Sequence, residues 1–122
     1  MAEPRISGFH AAAADRAEAR LDLHERLIPH PASTFLVRCA TDTLASASLR
    51  SGDICVVDRS LTPRDGDLVV ASTQEELIVR RLLISGGRMF VCCDPPATPQ
   101  PLDADTGTEF WGVVSSIIRQ LR

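Results

Sequence analysis

The chain contains no lysine: all 13 of its basic residues are arginine. It has no tyrosine either, and its aromatic side chains are four phenylalanines and one tryptophan. The first absence removes the side chain that burial most readily turns into a base. A desolvated ammonium loses its proton, whereas a guanidinium keeps it. The second leaves too few aromatic faces for a stacking platform on single-stranded nucleic acid. No basic run exceeds Arg80-Arg81 and the net charge is −3, which argues against a phosphate-binding face. The four cysteines (Cys39, Cys55, Cys92 and Cys93) show no CxxC spacing and no accompanying histidine pattern, so neither a zinc site nor another cofactor is expected. No stretch approaches the ~20 apolar residues of a membrane span, and Met1–Ala14 is too weakly apolar for a signal peptide. A reduced, cytoplasmic protein with no membrane attachment is the expectation.

What is present suits one domain. The chain has 122 residues, of which 44% are apolar, enough for a single core without staples. Met1–Ala14 reads as a small-residue, flexible leader, and residues 15–122 as the domain. Asp15 and Glu18 have capping-box spacing at the start of a short helix that Pro29 and Pro31 end, giving a helix near Asp15–Ile28. The remainder reads as strands separated by turn signals: Ser33–Arg38, Ile54–Asp58 after Ser51-Gly52, Leu68–Ser72 after Pro63-Arg64-Asp65-Gly66, Glu76–Ile84, Arg88–Cys92 after Gly86-Gly87, and Glu109–Leu121. Asp94–Pro101, with four prolines, reads as a loop. The fold class is therefore mainly β with one short N-terminal helix. Cys55, in an apolar run, reads as a buried small hydrophobe. Arg80 and Arg81 should fall on opposite faces of one strand. Phe110–Arg122 carries apolar residues of both parities, more than a one-sided strand requires, which suggests a homodimer.

The segments "SGFHAAAAD", "LIPHPASTFLVR", "SGDICVVDRSLTPRDGDLVVA", "ELIVRRL" and "EFWGVVSSIIRQLR" carry a family likeness. In one register from Gly8 to Arg122 the chain resembles the UmuD-like members of the LexA/UmuD (S24) self-cleaving peptidase superfamily. That resemblance implies twisted β-sheets, a serine–lysine dyad in a "GDSM"-like loop and a "TVKRL"-like strand, and a scissile bond in an N-terminal arm. Carried over by position, the loop falls on Thr41-Asp42-Thr43-Leu44 and the strand on Ile78-Val79-Arg80-Arg81-Leu82. The nucleophile position is then Thr43, the base position Arg80, the loop glycine Thr41, and the cleavage-site-like pair Ser7-Gly8. Thr43 is expected at a cleft edge facing Arg80.

These changes remove the dyad chemistry. A threonine hydroxyl is a nucleophile only beside an activating base, and arginine does not give up its proton. Thr43 also stiffens χ1, and Thr41 lacks the backbone freedom of glycine. Ser46 and Ser48 lie out of register. His24 and His30 are alternative bases in principle, but read more simply as solvated or packing histidines, and Arg80 as a cleft cation paired to a carboxylate such as Asp42. With Met1 as the natural start, the chain resembles the processed form of its relatives. Three functions follow from the resemblance. The first is a non-catalytic, dimeric accessory subunit for error-prone translesion synthesis in the SOS DNA-damage response. It would bind a Y-family (UmuC-like) polymerase and also the RecA filament. The second is a residual self-cleaving peptidase using Thr43. The third is a LexA-like regulatory dimerisation module without its DNA-binding part. None of the three includes sequence-specific DNA binding, because no helix-turn-helix is present.

Overall fold

A computed structural model describes residues 22–40 and 44–122. The leader, Asp15, Glu18, the Ser7-Gly8 pair and Thr41–Thr43 lie outside the described residues. Helix α1 spans Leu23–Leu27, with Asp22 as its N-cap: the Glu25 amide donates to Asp22 Oδ1 at 3.2 Å. This is a shorter helix than Asp15–Ile28 within the described part of that range, and its cap is a residue the sequence reading passed over. Its end is set by Pro29 and Pro31, and a 3₁₀ turn over Pro31–Ser33 leads into the first strand.

Seven strands follow: β1 Thr34–Arg38, β2 Ile54–Asp58, β3 Leu68–Ser72, β4 Leu77–Ser85, β5 Arg88–Cys92, β6 Gln100–Pro101 and β7 Glu109–Ile118. They form one antiparallel sheet in the order β1-β2-β7-β3-β4-β5-β6. The mainly β architecture read from the sequence is therefore correct. Two details differ. The proline-rich stretch ends in the two-residue strand β6 rather than being loop throughout, and the last strand stops at Ile118, three positions short of Leu121.

The sheet has a core on each face. On one, Val70 and Val79, opposite each other in register, pack with Cys55, Val57, Cys39, Leu44 and Leu49. On the other, Val69, Ala71, Leu82, Val91, Leu102 and Val113 pack together. The central strand β7 serves both: Trp111, Val114 and Ile117 lie against the first cluster, Val113 and Phe110 against the second. The apolar residues of both parities in this strand thus have partners within the chain, and dimerisation is not needed to account for them. Apolar surface that remains beyond them includes Ile118 and Leu121, and on the edge strand β1 Phe35 and Leu36. Gly112 is required where β7 passes β2, because a Cβ there would sit 2.6 Å from the buried Val57 Cγ1.

Cys55 is fully buried in the first cluster, as expected, and burial pushes its thiol pKa up to about 11, with smaller contributions from Cys39 and Asp53. Arg80 and Arg81 do part to opposite faces. Arg80 pairs across the ladder with Val69 of the second cluster, and Arg81 with Leu68, which packs on the first.

Candidate functional site: a peptidase-like cleft and its loop

The described parts of the segment between β1 and β2, residues 39–40 and 44–53, pack on one face of the sheet; Thr43, the expected nucleophile position, lies between them and outside the described residues. The segment is anchored at three places, each by chemistry that its sequence supplies. At its stem the Cys39 amide donates to the Asp53 carbonyl at 2.7 Å and the Gly52 amide to the Cys39 carbonyl at 2.8 Å. Inside, Leu44 and Leu49 are fully buried in the first core cluster, and a 3₁₀ turn over Ala45–Ala47 ends on Ser48 in the left-handed region. At the top, Asp94 of the β5–β6 loop accepts from the Ser46 amide at 2.9 Å and from the Ser46 hydroxyl. Those two bonds, helped by the charge of Arg81, hold the Asp94 carboxyl below its ordinary pKa against a smaller desolvation effect.

Two buried carboxylates brace the ends of β2. Asp53, just before the strand, accepts from Arg119 Nε at 2.8 Å and Nη2 at 2.6 Å, and from the Arg50 amide at 2.8 Å. The same Arg119 Nη2 reaches the Ser48 carbonyl at 2.6 Å, so one guanidinium ties the end of β7 to the loop. The Arg119 hydrogen bonds, with that of Arg50, bring the Asp53 pKa down to about 2. Asp58, closing the strand, has His30 Nδ1 2.6 Å from Oδ2, and its Oδ1 accepts from the Ser33 hydroxyl, the Ser60 amide and the Ser60 hydroxyl. Burial works to raise its pKa, but the bonds from Ser60, His30 and Ser33 together outweigh it and the carboxyl is held well below the ordinary range. His30 is thereby fixed to a structural carboxylate, in keeping with a packing histidine. Neither His24 nor His30 is among the described residues lining the cleft described next.

Acid should expose both braces. Asp53 and Asp58 bind protons more weakly in the folded chain than the ~3.9 of a free aspartate. Their stabilisation is therefore complete above pH ~4 and is lost as the pH falls towards 2. Urea midpoints measured across that window should fall steeply for the wild type. For Asp53→Asn they should start lower at neutral pH and fall less. An unchanged slope in that variant would remove Asp53 from the account.

The cleft, about 320 Å³, opens between the end of β1 and the start of β4. Val37, Arg38, Cys39 and Ala40 line one side, and residues 76–80 the other. Arg80, half-buried, is in it, and its Nη1 donates to the Val79 carbonyl at 2.8 Å. Arg80 and Ala40, the last described residue before Thr41–Thr43, thus line the same cleft. Among the described residues Arg80 forms no ion pair; Asp42, the suggested partner, lies outside them, as does Thr43. Arg80 offers donors and a fixed positive charge to this cleft, and no base.

The antiparallel sheet, the loop residues braced on one face and the cleft against β4 are consistent with a LexA/UmuD-like fold. The peptidase S24-like family model matches residues 6–115. Protein SamA of Salmonella typhimurium is 37% identical over 95% of this chain and 81% of its own length. Protein MucA of Escherichia coli is 37% identical over 91% of this chain and 77% of its own. The LexA repressor of Xylella fastidiosa is 27% identical over 97% of this chain, which spans 56% of that repressor. The chain belongs to the S24 peptidase-like family, in its LexA/UmuD group.

Sequence reasoning found the cleft strand and its arginine through the family motif. It missed Asp53, Asp58, Asp94 and Arg119. The "GD" and "VD" positions flanking the Ile54–Asp58 strand were a usable signal, because a carboxylate at the boundary of an apolar strand needs donors. Nothing local in the sequence pointed to Arg119 or Asp94 as their partners or counterparts.

Proposed function

We propose that this chain is a non-catalytic UmuD-like accessory subunit in error-prone translesion DNA synthesis during the SOS response, acting in the cytoplasm as a dimer that binds a Y-family polymerase and the RecA filament. The observation that carries the reading is Arg80 in the cleft at the base position, in a chain without lysine. Leu44, Leu49, Asp53 and Asp94 hold the described part of the loop in place, while the residue carried to the base position is one that does not take up a proton. A scaffold kept intact around lost chemistry fits a protein selected for its surface. The similarity to SamA and MucA over most of their length supports the UmuD-like reading over the repressor one.

The test has two arms. Wild-type chain incubated at alkaline pH, or with RecA, ATP and single-stranded DNA, should keep its intact mass, with no cut between Ser7 and Gly8. Tagged chain recovered from its own cells after DNA damage should bring down a Y-family polymerase. Loss of the first seven residues, blocked by Thr43→Ala, would make the protein a working peptidase. Recovery of a repressor in place of a polymerase would favour the regulatory module.

A further inference from the structure

The arginines the sequence scatters are gathered by the fold. A concavity of about 490 Å³ lies between the Arg50–Asp53 turn and the end of β7. Arg38, Arg50, Arg119 and Arg122 surround it, and Asp53 is the one acidic residue among the described residues lining it. Of the ten arginines and twelve carboxylate side chains among the described residues, six arginines and eleven carboxylates lie outside this concavity. A positive hollow thus sits on a described surface that is otherwise acidic, in a chain whose longest basic run is Arg80-Arg81.

The single carboxylate does not neutralise it. Both Asp53 oxygens are occupied by Arg119 and by the Arg50 backbone amide. Among the described residues the Arg38 guanidinium donates to the Gly52 carbonyl, at 3.3 Å. Among the described residues Arg38, Arg50 and Arg122 form no salt bridge, although the Arg50 charge acts on Asp53 from farther off, and all three are exposed. Three guanidinium forks, each suited to bidentate bonding with a carboxylate or phosphate, therefore remain. Between them lies an apolar floor: Ile54 and Ile118 are partners across the β2–β7 ladder, and Ile118 is 38% exposed.

We propose that this concavity is a docking site for an acidic peptide segment of a partner protein, with carboxylates on Arg38, Arg50 and Arg122 and an aliphatic side chain on Ile54 and Ile118. A nucleic acid strand fits less well. Among the described residues no aromatic lines the hollow to stack a base, and the isoleucine floor would face polar backbone. The site is separate from the peptidase-like cleft, with which it shares Arg38 alone among the described lining residues. It does not depend on whether Thr43 is active.

The probe is a short, end-blocked, fluorescent peptide alternating glutamate and leucine. It should bind the full chain saturably at low salt and be weakened at high salt. Amide NMR shifts should concentrate in residues 50–54 and 118–122. Arg38→Gln with Arg50→Gln should weaken binding about tenfold or more, the scale of losing charge-assisted bonds, while leaving the urea midpoint unchanged. Arg88→Gln, a control on β5, should bind as the wild type does. Three results would each overturn the proposal: tighter binding of an oligothymidylate than of the peptide, equal binding of a glutamine–leucine peptide, or full affinity in the double variant. Inorganic phosphate giving the same shifts and displacing the peptide at comparable concentration would reduce the hollow to a general anion site and overturn it as well.

Discussion

Leu44→Ala is expected to destabilise the chain by about 2–5 kcal/mol, the range for removing a fully buried leucine. Leu44 follows the nucleophile position directly, yet it is fully buried with Cys39, Leu49, Cys55, Val57, Val70 and Val79. Its side chain plugs the loop into one face of the sheet. The loop cannot close over the space left by truncation, because its stem is fixed by the Cys39–Asp53 and Gly52–Cys39 bonds and its top by Asp94. A site unable to collapse lies at the costly end of such substitutions. Leu44→Met, close in volume, should cost less than ~1.5 kcal/mol. Urea unfolding should show the lowered midpoint with an unchanged slope. A loss below ~0.5 kcal/mol for the alanine variant would mean that the loop is not seated on the core as described.

The strands were legible in the sequence wherever a turn signal bounded them on both sides. Ile54–Asp58, Leu68–Ser72 and Arg88–Cys92 were read to the residue, because Ser51-Gly52, Asp65-Gly66 and Gly86-Gly87 punctuate the chain. Gly66, Gly86 and Gly87 all have positive φ, the conformation that makes glycine informative at a turn. The end of β7 was not legible. Apolar Leu121 extends the pattern past Ile118, but nothing pairs with it beyond the last β2 partner, Ile54. The sheet order was hidden for a related reason. β7 lies between β2 and β3, and a residue does not record which distant strand it will meet. The apolar residues on both its faces then looked like surplus surface, when they reported a central position.

The candidate site divided in the same way. Arg80 was legible because a contiguous motif carries it. The braces were not: Arg119 is 66 positions from Asp53, and Asp94 48 positions from Ser46. Each of these side chains is unremarkable alone and acquires a role only from a partner brought in by the fold. The arginine hollow is the extreme case, since Arg38, Arg50, Arg119 and Arg122 form no run in the sequence.

A chain with Thr43→Ser combined with Arg80→Lys is expected to cut itself slowly between Ser7 and Gly8, where the wild type, on the function proposed above, stays whole. Either change alone should leave the mass intact. The serine would still lack a base, and the lysine would face a hindered hydroxyl with its χ1 restricted. In the double variant the introduced ammonium would lie in the cleft beside Ala40, flanked by the apolar Val79 and Ile78. Desolvation there disfavours the charged form and draws the lysine pKa down from ~10.4. Below that shifted pKa the cleavage rate should rise about tenfold per pH unit, following the fraction of free amine. Thr41, which cannot relax the loop as a glycine would, should keep the rate low, and adding Thr41→Gly should raise it further. Intact-mass spectrometry of the wild type, the two single variants and the double variant over a pH series decides the matter. Cleavage by the wild type or by Thr43→Ser alone would show that a base other than residue 80 serves this cleft. A triple variant that stays whole at every pH would show that Arg80 does not occupy the base position.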